Sequence, residues 1–230
     1  MIDILFCSWN RLEFTRKSFE TMLANTDWSL VSNLVVHDDG SSDGTRDYLQ
    51  SAVEGLSNCE LRLSSGLGPV GIMRDHLFRP GAEWLVKIDN DTLLPPNWLN
   101  ECLDLIEQNP TVDLFGIEAR VDAEKSGPPP RTVYPAAFIG GIGVMRRSAF
   151  TDLPQADGNR SRFGFGAWQD RHPEVNKAWI NPPLPVCLLN MVPFEPWHSL
   201  SEEYVAKGWQ RPWPDKYENS HKALWAWWAC

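Results

Sequence analysis

The chain has 230 residues, 43% hydrophobic and 22% charged, which is enough for one large globular domain or a domain with a small appendage. A formal net charge of −9 argues against general nucleic-acid binding driven by phosphate neutralisation, while leaving a locally basic groove open. No apolar run approaches the ~20 residues of a membrane span, and the opening run Ile2–Cys7 is too short, and too poor in basic flanking residues, for a signal peptide.

Taken in chain order, Ile2–Cys7 reads as a first strand, followed by the turn Ser8-Trp9-Asn10-Arg11 and a helix with Leu12, Phe19, Met22 and Leu23 on one face. Leu34-Val35-Val36 is a second buried strand, ending in His37-Asp38-Asp39-Gly40-Ser41-Ser42-Asp43-Gly44. Thr45, Tyr48, Leu49, Ala52 and Val53 then repeat at helical spacing, with Asp43 as the expected N-cap. Glu60–Leu63 is a short third strand, Gly66–Gly71 a loop, and Ile72–Phe78 a short helix that carries Arg74. Glu83–Ile88 has the run of a strand buried on both faces, delivering Asp89-Asn90-Asp91 to its carboxyl end before Pro95-Pro96. A helix follows with Trp98, Leu99, Cys102, Leu103 and Ile106 on one side, then a strand over 112–117. Strands alternating with helices at this spacing predict an α/β fold with a mostly parallel sheet and right-handed crossovers.

Beyond about residue 120 the pattern loosens, and the 18 Pro residues crowd this half, which predicts loops. Ser126–Pro130 reads as a rigid loop, 136–147 as a glycine-broken hairpin or strand pair, and 152–166 as mobile. Trp168-Gln169-Asp170-Arg171 opens an ordered piece, and Val186–Leu189 is a last strand. The tail from Pro193 onward is Trp-rich without a period, and Leu224–Trp228 is expected to pack against the domain. The five cysteines (Cys7, Cys59, Cys102, Cys187 and Cys230) form no C-x-x-C and no metal-ligand spacing, so a reduced, cytoplasmic protein is expected.

Laid side by side, the first four strands bring Ser8–Arg11, Asp38-Asp39 and Asp89-Asn90-Asp91 to one rim, with Arg74 nearby. Open α/β sheets bind ligands there. So many carboxylates repel one another unless cations or donors neutralise them, and a metal-bound nucleotide would do so. In such a site Asp39 can accept from a base N–H and a ribose hydroxyl, Arg74 can meet the base, and Asp91 can hold a metal against a diphosphate.

The succession Ser8-x-Asn10-Arg11, Val36–Thr45, Gly71-x-x-Arg74-Asp75 and Lys87-Ile88-Asp89-Asn90-Asp91 resembles the amino-terminal half of family 2 glycosyltransferases. The resemblance covers residues 2–118 firmly and 138–172 more loosely. It implies the GT-A fold: a Rossmann-like, mostly parallel sheet with helices on both faces and an irregular Trp/Pro-rich acceptor region. Residues 1–120 would be the nucleotide-sugar half and 121–230 the acceptor half of one continuous domain. Carried over residue by residue, Ser8, Asn10 and Arg11 would line the nucleotide pocket. Asp39 would grip the base or ribose with Asp38 in support, Arg74 would contact the base, and Asp89 the ribose or sugar, with Asn90 beside it. Asp91 would be the main ligand of Mn²⁺ or Mg²⁺, with His198 as a further ligand from the carboxyl-terminal region.

In the second half, Gly140-Gly141-x-Gly143 and Trp168-Gln169-Asp170 resemble the family's Gly-Gly segment and acid pair, with Gln169 where Glu is more usual. Asp170 is thereby the candidate base for an inverting transfer; its other reading is a helix cap or a partner of Arg171. Trp168 and Trp197 are candidate sugar platforms. Arg146, Arg147, Arg160, Arg162 and Arg171 would contact an anionic acceptor or be solvated loop charges. Gln210-Arg211-Pro212-Trp213 has the wrong spacing for the Gln-x-x-Arg-Trp of processive synthases, so a non-processive enzyme is expected. The donor implied by the resemblance is a nucleoside-diphosphate sugar, expected to be UDP-linked, and the acceptor a glycan or small molecule rather than a nucleic acid. Two other readings stay open. One is a non-catalytic carbohydrate-binding protein that kept the fold. The other is a nucleotidyltransferase making the sugar nucleotide, for which the first strand lacks the usual Gly-rich phosphate loop.

Overall fold

The structure is a computed structural model that describes residues 1–117, 130–140, 142–153, 164–192 and 194–210. Its centre is strand β1 (Ile2–Ser8), buried along its whole length. Parallel partners flank it: β2 (Val31–Asp38) with β3 (Cys59–Leu63) outside it, and β4 (Trp84–Asp89) on the other side. The sheet then turns mixed. β8 (Gly143–Arg146) lies antiparallel to both β4 and β6 (Leu114–Gly116); β9 (Lys177–Asn181) is parallel to β6, and β7 (Thr132–Pro135) closes the edge antiparallel to β9. The order is β3-β2-β1-β4-β8-β6-β9-β7. A separate antiparallel ladder joins β5 (Thr92–Leu93) to β10 (Cys187–Leu188).

The alternation of side chains along the central strands divides the core. Ile4, Phe6, Val86 and Ile88 face one way, toward α1 (Leu12–Asn25), α2 (Thr45–Ala52) and α4 (Trp98–Gln108). Leu5, Cys7 and Leu85 face the other, toward α3 (Gly68–Leu77) and α5 (Gly164–Arg171). Burying a large apolar side chain in such a layer stabilises by about 1.5–3 kcal/mol. Phe6 and Phe19 add an edge-to-face contact at 5.1 Å. A third cluster forms under α6 (Trp197–Ala206), where Phe14, Leu93, Cys187, Leu189, Val192 and Tyr204 meet.

Several expectations change. Among the described residues, 136–147 carries one strand, β8, which pairs with β4 and β6 rather than within the segment; Gly143 admits the Phe115 backbone so closely that a Cβ there would lie 2.6 Å from its carbonyl oxygen. Helix α3 starts at Gly68, not Ile72. Pro69 sits in its first turn, and the Asp39 carboxylate accepts from Leu67 N and Gly68 N, satisfying donors that a helix start leaves open. Asp43 caps through its side chain although Gly44 holds the cap position; it accepts from Thr45 N at 3.1 Å and from Leu12 N at 2.9 Å, so it serves the starts of α1 and α2 together. The segments read as a rigid loop at 126–129, as mobile at 154–163, and as a Trp-rich tail at 211–230 lie outside the described residues. Among the described residues no helix is long and apolar enough to cross a membrane, and Cys7, Cys59, Cys102 and Cys187 are free thiols. Burial pushes the Cys7 and Cys59 thiols up to about 12 and about 11, so neither is a nucleophile near neutral pH.

Candidate active site

Three strand ends converge and are bonded to one another. After β1 the chain passes through two consecutive left-handed residues, Asn10 (φ 52°) and Arg11 (φ 64°). Asparagine tolerates this conformation; arginine adopts it at a cost of order 1–3 kcal/mol, which surrounding bonds must hold. They do. Asn10 N donates to Ser41 Oγ at 2.7 Å, Ser42 N to Asn10 Oδ1 at 2.8 Å, and Asn90 Nδ2 to Asn10 O at 2.8 Å. The loop after β2 and the end of β4 thus clamp the turn after β1.

The acids of that rim have separate roles. Asp38 is buried and shapes its own turn, accepting from Gly40 N, Ser41 N and Ser41 Oγ, with Arg46 3.5 Å away. Gly40 supplies the left-handed φ of 86° that this turn needs. Asp39 accepts from Ser64 Oγ and Leu67 N on Oδ1, at 2.7 and 3.0 Å, and from Gly68 N on Oδ2 at 2.8 Å. One acceptor direction on Oδ2 is left over. Arg74 is half-buried on α3, its guanidinium against Phe78.

Asp89 and Asp91 are each paired with a buried cation. Lys87, 2% exposed, places Nζ 2.5 Å from Asp89 Oδ1. Burial pulls the Lys87 pKa down, but Asp89, with Cys7 and Asp91, raises it further, so the net shift is upward and the ammonium persists. Arg11 Nη1 lies 2.7 Å from Asp91 Oδ2, and its Nη2 donates to Asn90 Oδ1. Asn90 is buried; it also donates to Thr15 Oγ1 at 2.8 Å and lies 3.4 Å from Ser8 Oγ.

The carboxyl-terminal part reaches this rim from the other side. Leu189 N donates to Asp91 O at 2.7 Å, continuing the β5–β10 ladder. Arg11 Nη1 also meets Gln210 Oε1 at 3.5 Å; Gln210 Nε2 donates to Ser201, and Ser201 Oγ donates to Asn190 O. Among the described residues, Asn190 Oδ1, Thr92 Oγ1 and Arg11 Nε are buried without a hydrogen-bond partner, and all three belong to residues at or beside Asp91. Two of these orphans are hard oxygens. The Asp89 and Asp91 carboxylates are donors of the kind that hold Mg²⁺ or Mn²⁺ through one or two carboxylates plus substrate phosphates, and the two orphaned oxygens belong to the residue after Asp91 and the residue after its backbone partner Leu189. The residues therefore fit such an ion, provided Arg11 yields Asp91.

Two expected site residues fall elsewhere or change character, and a third keeps its place. His198 is exposed on the first turn of α6, its Nε2 3.6 Å from Glu202, and among the described residues no group of three His, Cys, Asp or Glu side chains is close enough to hold a metal. Trp168 is 0% exposed: Phe150, Phe165 and His172 stack around its ring at 4.7, 5.9 and 4.6 Å, and Nε1 donates to Asp152. That corrects the reading of Trp168 as a sugar platform, since its faces are already covered. Trp197 is half-buried 6.0 Å from Phe14, the ring over which Arg11 sits, and so remains near the rim.

Asp170 is exposed in the last turn of α5. An acid there faces the negative end of the helix, so it adds nothing to helix stability and does not cap the amino end. Arg146 and Arg147 serve the fold. Arg146 pairs with Glu83 and Asp113, and Arg147 with Asp3 and the carbonyls of His76, Leu77, Arg79 and Ala82.

Sequence reasoning missed Lys87, Ser64, Asn190, Gln210 and the role of Gln169. Only the Lys87–Asp89 spacing of two along a strand, which puts both on one face, carried a signal. Gln169 is buried and clasps the backbone of one residue: Oε1 accepts from Ile139 N and Nε2 donates to Ile139 O, each at 2.9 Å. It ties the segment before Gly140 to the helix that presents Asp170.

Solved structures share this architecture at identities that speak to fold alone. S. aureus TarS in complex with UDP-GlcNAc superposes with a TM-score of 0.57 at 12% identity, over 77% of this chain and 55% of that one. The mannosyltransferase PcManGT from Pyrobaculum calidifontis, in complex with GDP-Man and Mn²⁺, gives 0.54 at 13%, covering 96% and 68%. Glucosyl-3-phosphoglycerate synthase from Mycobacterium tuberculosis, in complex with Mn²⁺, UDP and phosphoglyceric acid, gives 0.52 at 16%, covering 78% and 67%. The chain thus spans little more than half of the TarS chain, and the fold it shares with these transferases is GT-A. No curated protein sequence matches it. The model of the family described as "Glycosyl transferase family 2" matches residues 3–168, most of the chain. This chain belongs to glycosyl transferase family 2.

Proposed function

We propose that the protein is a metal-dependent, inverting, non-processive glycosyltransferase that moves a sugar from a nucleoside-diphosphate sugar, UDP-linked, to an acceptor hydroxyl. The observation that carries the reading is the interlocked rim, where the turn 8–11, the Asp38–Asp39 turn and Asp89–Asp91 are hydrogen-bonded into one unit. Residues 1–120 take the donor and 121–230 the acceptor.

Asp39 offers its remaining Oδ2 acceptor direction to a base N–H or a ribose hydroxyl, and Arg74 faces the same base. Asp89, held by Lys87, meets the donor ribose or sugar. Asp91 holds the divalent ion, with Asn190 Oδ1 beside it and His198 outside the set. A divalent ion bound there supplies Lewis-acid stabilisation of the departing diphosphate. Arg11, released from Asp91, moves its charge to the diphosphate, so the rim stays balanced. Asp170 accepts the proton of the acceptor hydroxyl as that oxygen bonds to the anomeric carbon and the bond from that carbon to the diphosphate oxygen breaks. Trp197 offers its ring to the acceptor. PcManGT and the glucosyl-3-phosphoglycerate synthase, which are complexed with Mn²⁺, support the choice of ion, and the latter and TarS, with UDP and UDP-GlcNAc, support the nucleotide.

The test is a panel of UDP- and GDP-sugars with Mn²⁺, following nucleotide binding by calorimetry and release of the nucleoside diphosphate. Asp91→Ala is expected to weaken Mn²⁺-dependent nucleotide binding at least about 100-fold, on the scale of losing a metal ligand. Unchanged binding and turnover in Asp91→Ala would remove the metal assignment.

A further inference from the structure

His37, the penultimate residue of β2, pairs in register with Cys7 of β1 and so shares the sheet face of Cys7 and Leu5, the face that packs against Ile72, Met73 and Leu77 of α3. His76 of α3 meets it there. Both imidazoles are buried, with rings edge-on at 5.4 Å. His37 Nδ1 lies 3.1 Å from His76 Nε2, and His37 Nε2 lies 2.8 Å from Ser64 Oγ, which donates to Asp39 Oδ1 at 2.7 Å. Four polar side chains therefore form one line running from the interior to the carboxylate at the rim.

We propose that His37 and His76 are positioning residues of the nucleoside pocket. They act as a neutral relay that fixes the Ser64 hydroxyl and, through it, the Asp39 carboxylate, and that holds the Arg74-bearing helix α3 on β2. The proposal rests on the reading of Asp39 as the nucleoside contact. The direction of every proton follows from the Asp39 end. Ser64 spends its only proton on Asp39, so His37 must bring the proton between Nε2 and Ser64 Oγ. A neutral imidazole has one N–H, so His37 Nδ1 is bare and accepts from His76 Nε2–H. Both rings are thus Nε2–H tautomers. Burial supports this: it lowers the pKa of His37, against the pull of Asp39, Asp75 and Asp38 and with Arg62 assisting. It also lowers that of His76 to about 3, with His37, Arg79, Arg62 and Arg147 adding to the shift.

The relay accounts for two groups that hydrophobic packing would otherwise have replaced. Asp39 needs both oxygens fixed, yet one acceptor direction must point outward. Ser64 Oγ sets Oδ1 laterally, while Leu67 N and Gly68 N set the carboxylate from the helix start. His76, two turns further along α3, anchors the same helix, so the contacts from Asp39 and from Arg74 move as one body.

The experiment is calorimetric titration of UDP at fixed Mn²⁺ into wild type, His37→Phe, His37→Gln and Ser64→Ala, with side-chain ¹⁵N spectra of the wild type. Phe fills the space without a donor; Gln carries an N–H that reaches toward Ser64. The Kd for UDP is expected to rise about tenfold in His37→Phe and in Ser64→Ala, the scale of one misaligned hydrogen bond, and to return to within about threefold in His37→Gln. The spectra are expected to show both rings neutral and protonated on Nε2. Wild-type affinity in His37→Phe and Ser64→Ala overturns the proposal, as does a proton on Nδ1 of either ring. So does a loss in His37→Phe that Gln does not restore, which marks packing alone. Should His37→Phe not fold, Ser64→Ala and the wild-type spectra decide. Asp39→Asn separates the two readings. Unchanged UDP affinity there sinks the nucleoside role of Asp39 and the relay's purpose with it, whereas a large loss there beside wild-type binding in His37→Phe sinks the relay alone.

Discussion

Replacing Gln169 by Glu, the more usual residue of the family at this position, should destabilise this protein in a pH-dependent way. Gln169 is 2% exposed and spends both ends of its amide on the backbone of Ile139, accepting from N and donating to O at 2.9 Å. An ionised Glu keeps the first bond but turns an oxygen toward the Ile139 carbonyl. Leaving that carbonyl unpaired costs about 1–3 kcal/mol, and burying the charge adds to it. The alternative is to bind a proton and donate again. At pH 7 that costs at most about 3.7 kcal/mol, since a free Glu titrates near ~4.3 and each unit is ~1.36 kcal/mol. The deficit at pH 7 is therefore about 2–4 kcal/mol. The sign follows from linkage: the carboxyl introduced by Gln169→Glu has a folded pKa raised above its unfolded value. The variant's stability relative to wild type is thus best below about pH 4.3 and falls as pH rises toward the folded pKa. Urea unfolding of both proteins at pH 4.5 and 7.0 reads this directly. A variant as stable as wild type at pH 7, or a deficit that does not change with pH, would refute the clasp.

Asp170→Asn should lower nucleoside-diphosphate release about 10²–10⁴-fold while UDP affinity stays within about twofold; a fall in affinity of the same size would place Asp170 in binding instead. Lys87→Met keeps the volume but strips Asp89 of its cation. Because the Asp89 side chain is 32% exposed, the loss is about 2 kcal/mol, below that of a fully buried pair. The folded pKa of Lys87 is raised, so its contribution is full below about pH 10.4 and is lost only as pH climbs through the folded value. Accordingly the deficit of Lys87→Met should be constant from pH 6 to about 9, and a drift across that range counts against the pair. Trp168→Ala should cost about 3–5 kcal/mol in denaturant unfolding; a cost under about 1 kcal/mol would return Trp168 to the surface.

The donor half was legible because its signals are local. A strand buried on both faces must be a continuous apolar run, and acids placed directly after it must emerge at its carboxyl end. The runs Ile2–Cys7, Leu34–Val36 and Trp84–Val86 are of this kind, so with these strands side by side the rim at Arg11, Asp39 and Asp91 followed from the sequence. The acceptor half was not, because its strands β7 and β8 are only four residues each and pair across long separations, where neither period nor turn chemistry reports the partner. Helix starts were misplaced for a related reason: the Asp39 carboxylate that begins α3 lies 28 and 29 residues before the amides it accepts from.

What the sequence determined by itself was which residues stand at the ends of the first four strands, and so the class of ligand that the rim can take. Only the tertiary structure decided how their charges are met: Arg11 on Asp91, Lys87 on Asp89, and three protein donors on Asp39. It also decided that Trp168 is core and that His198 stands apart. A residue type states what a side chain can donate, accept or stack against, but burial and partnership depend on distance in space, which folding sets between segments far apart in the chain.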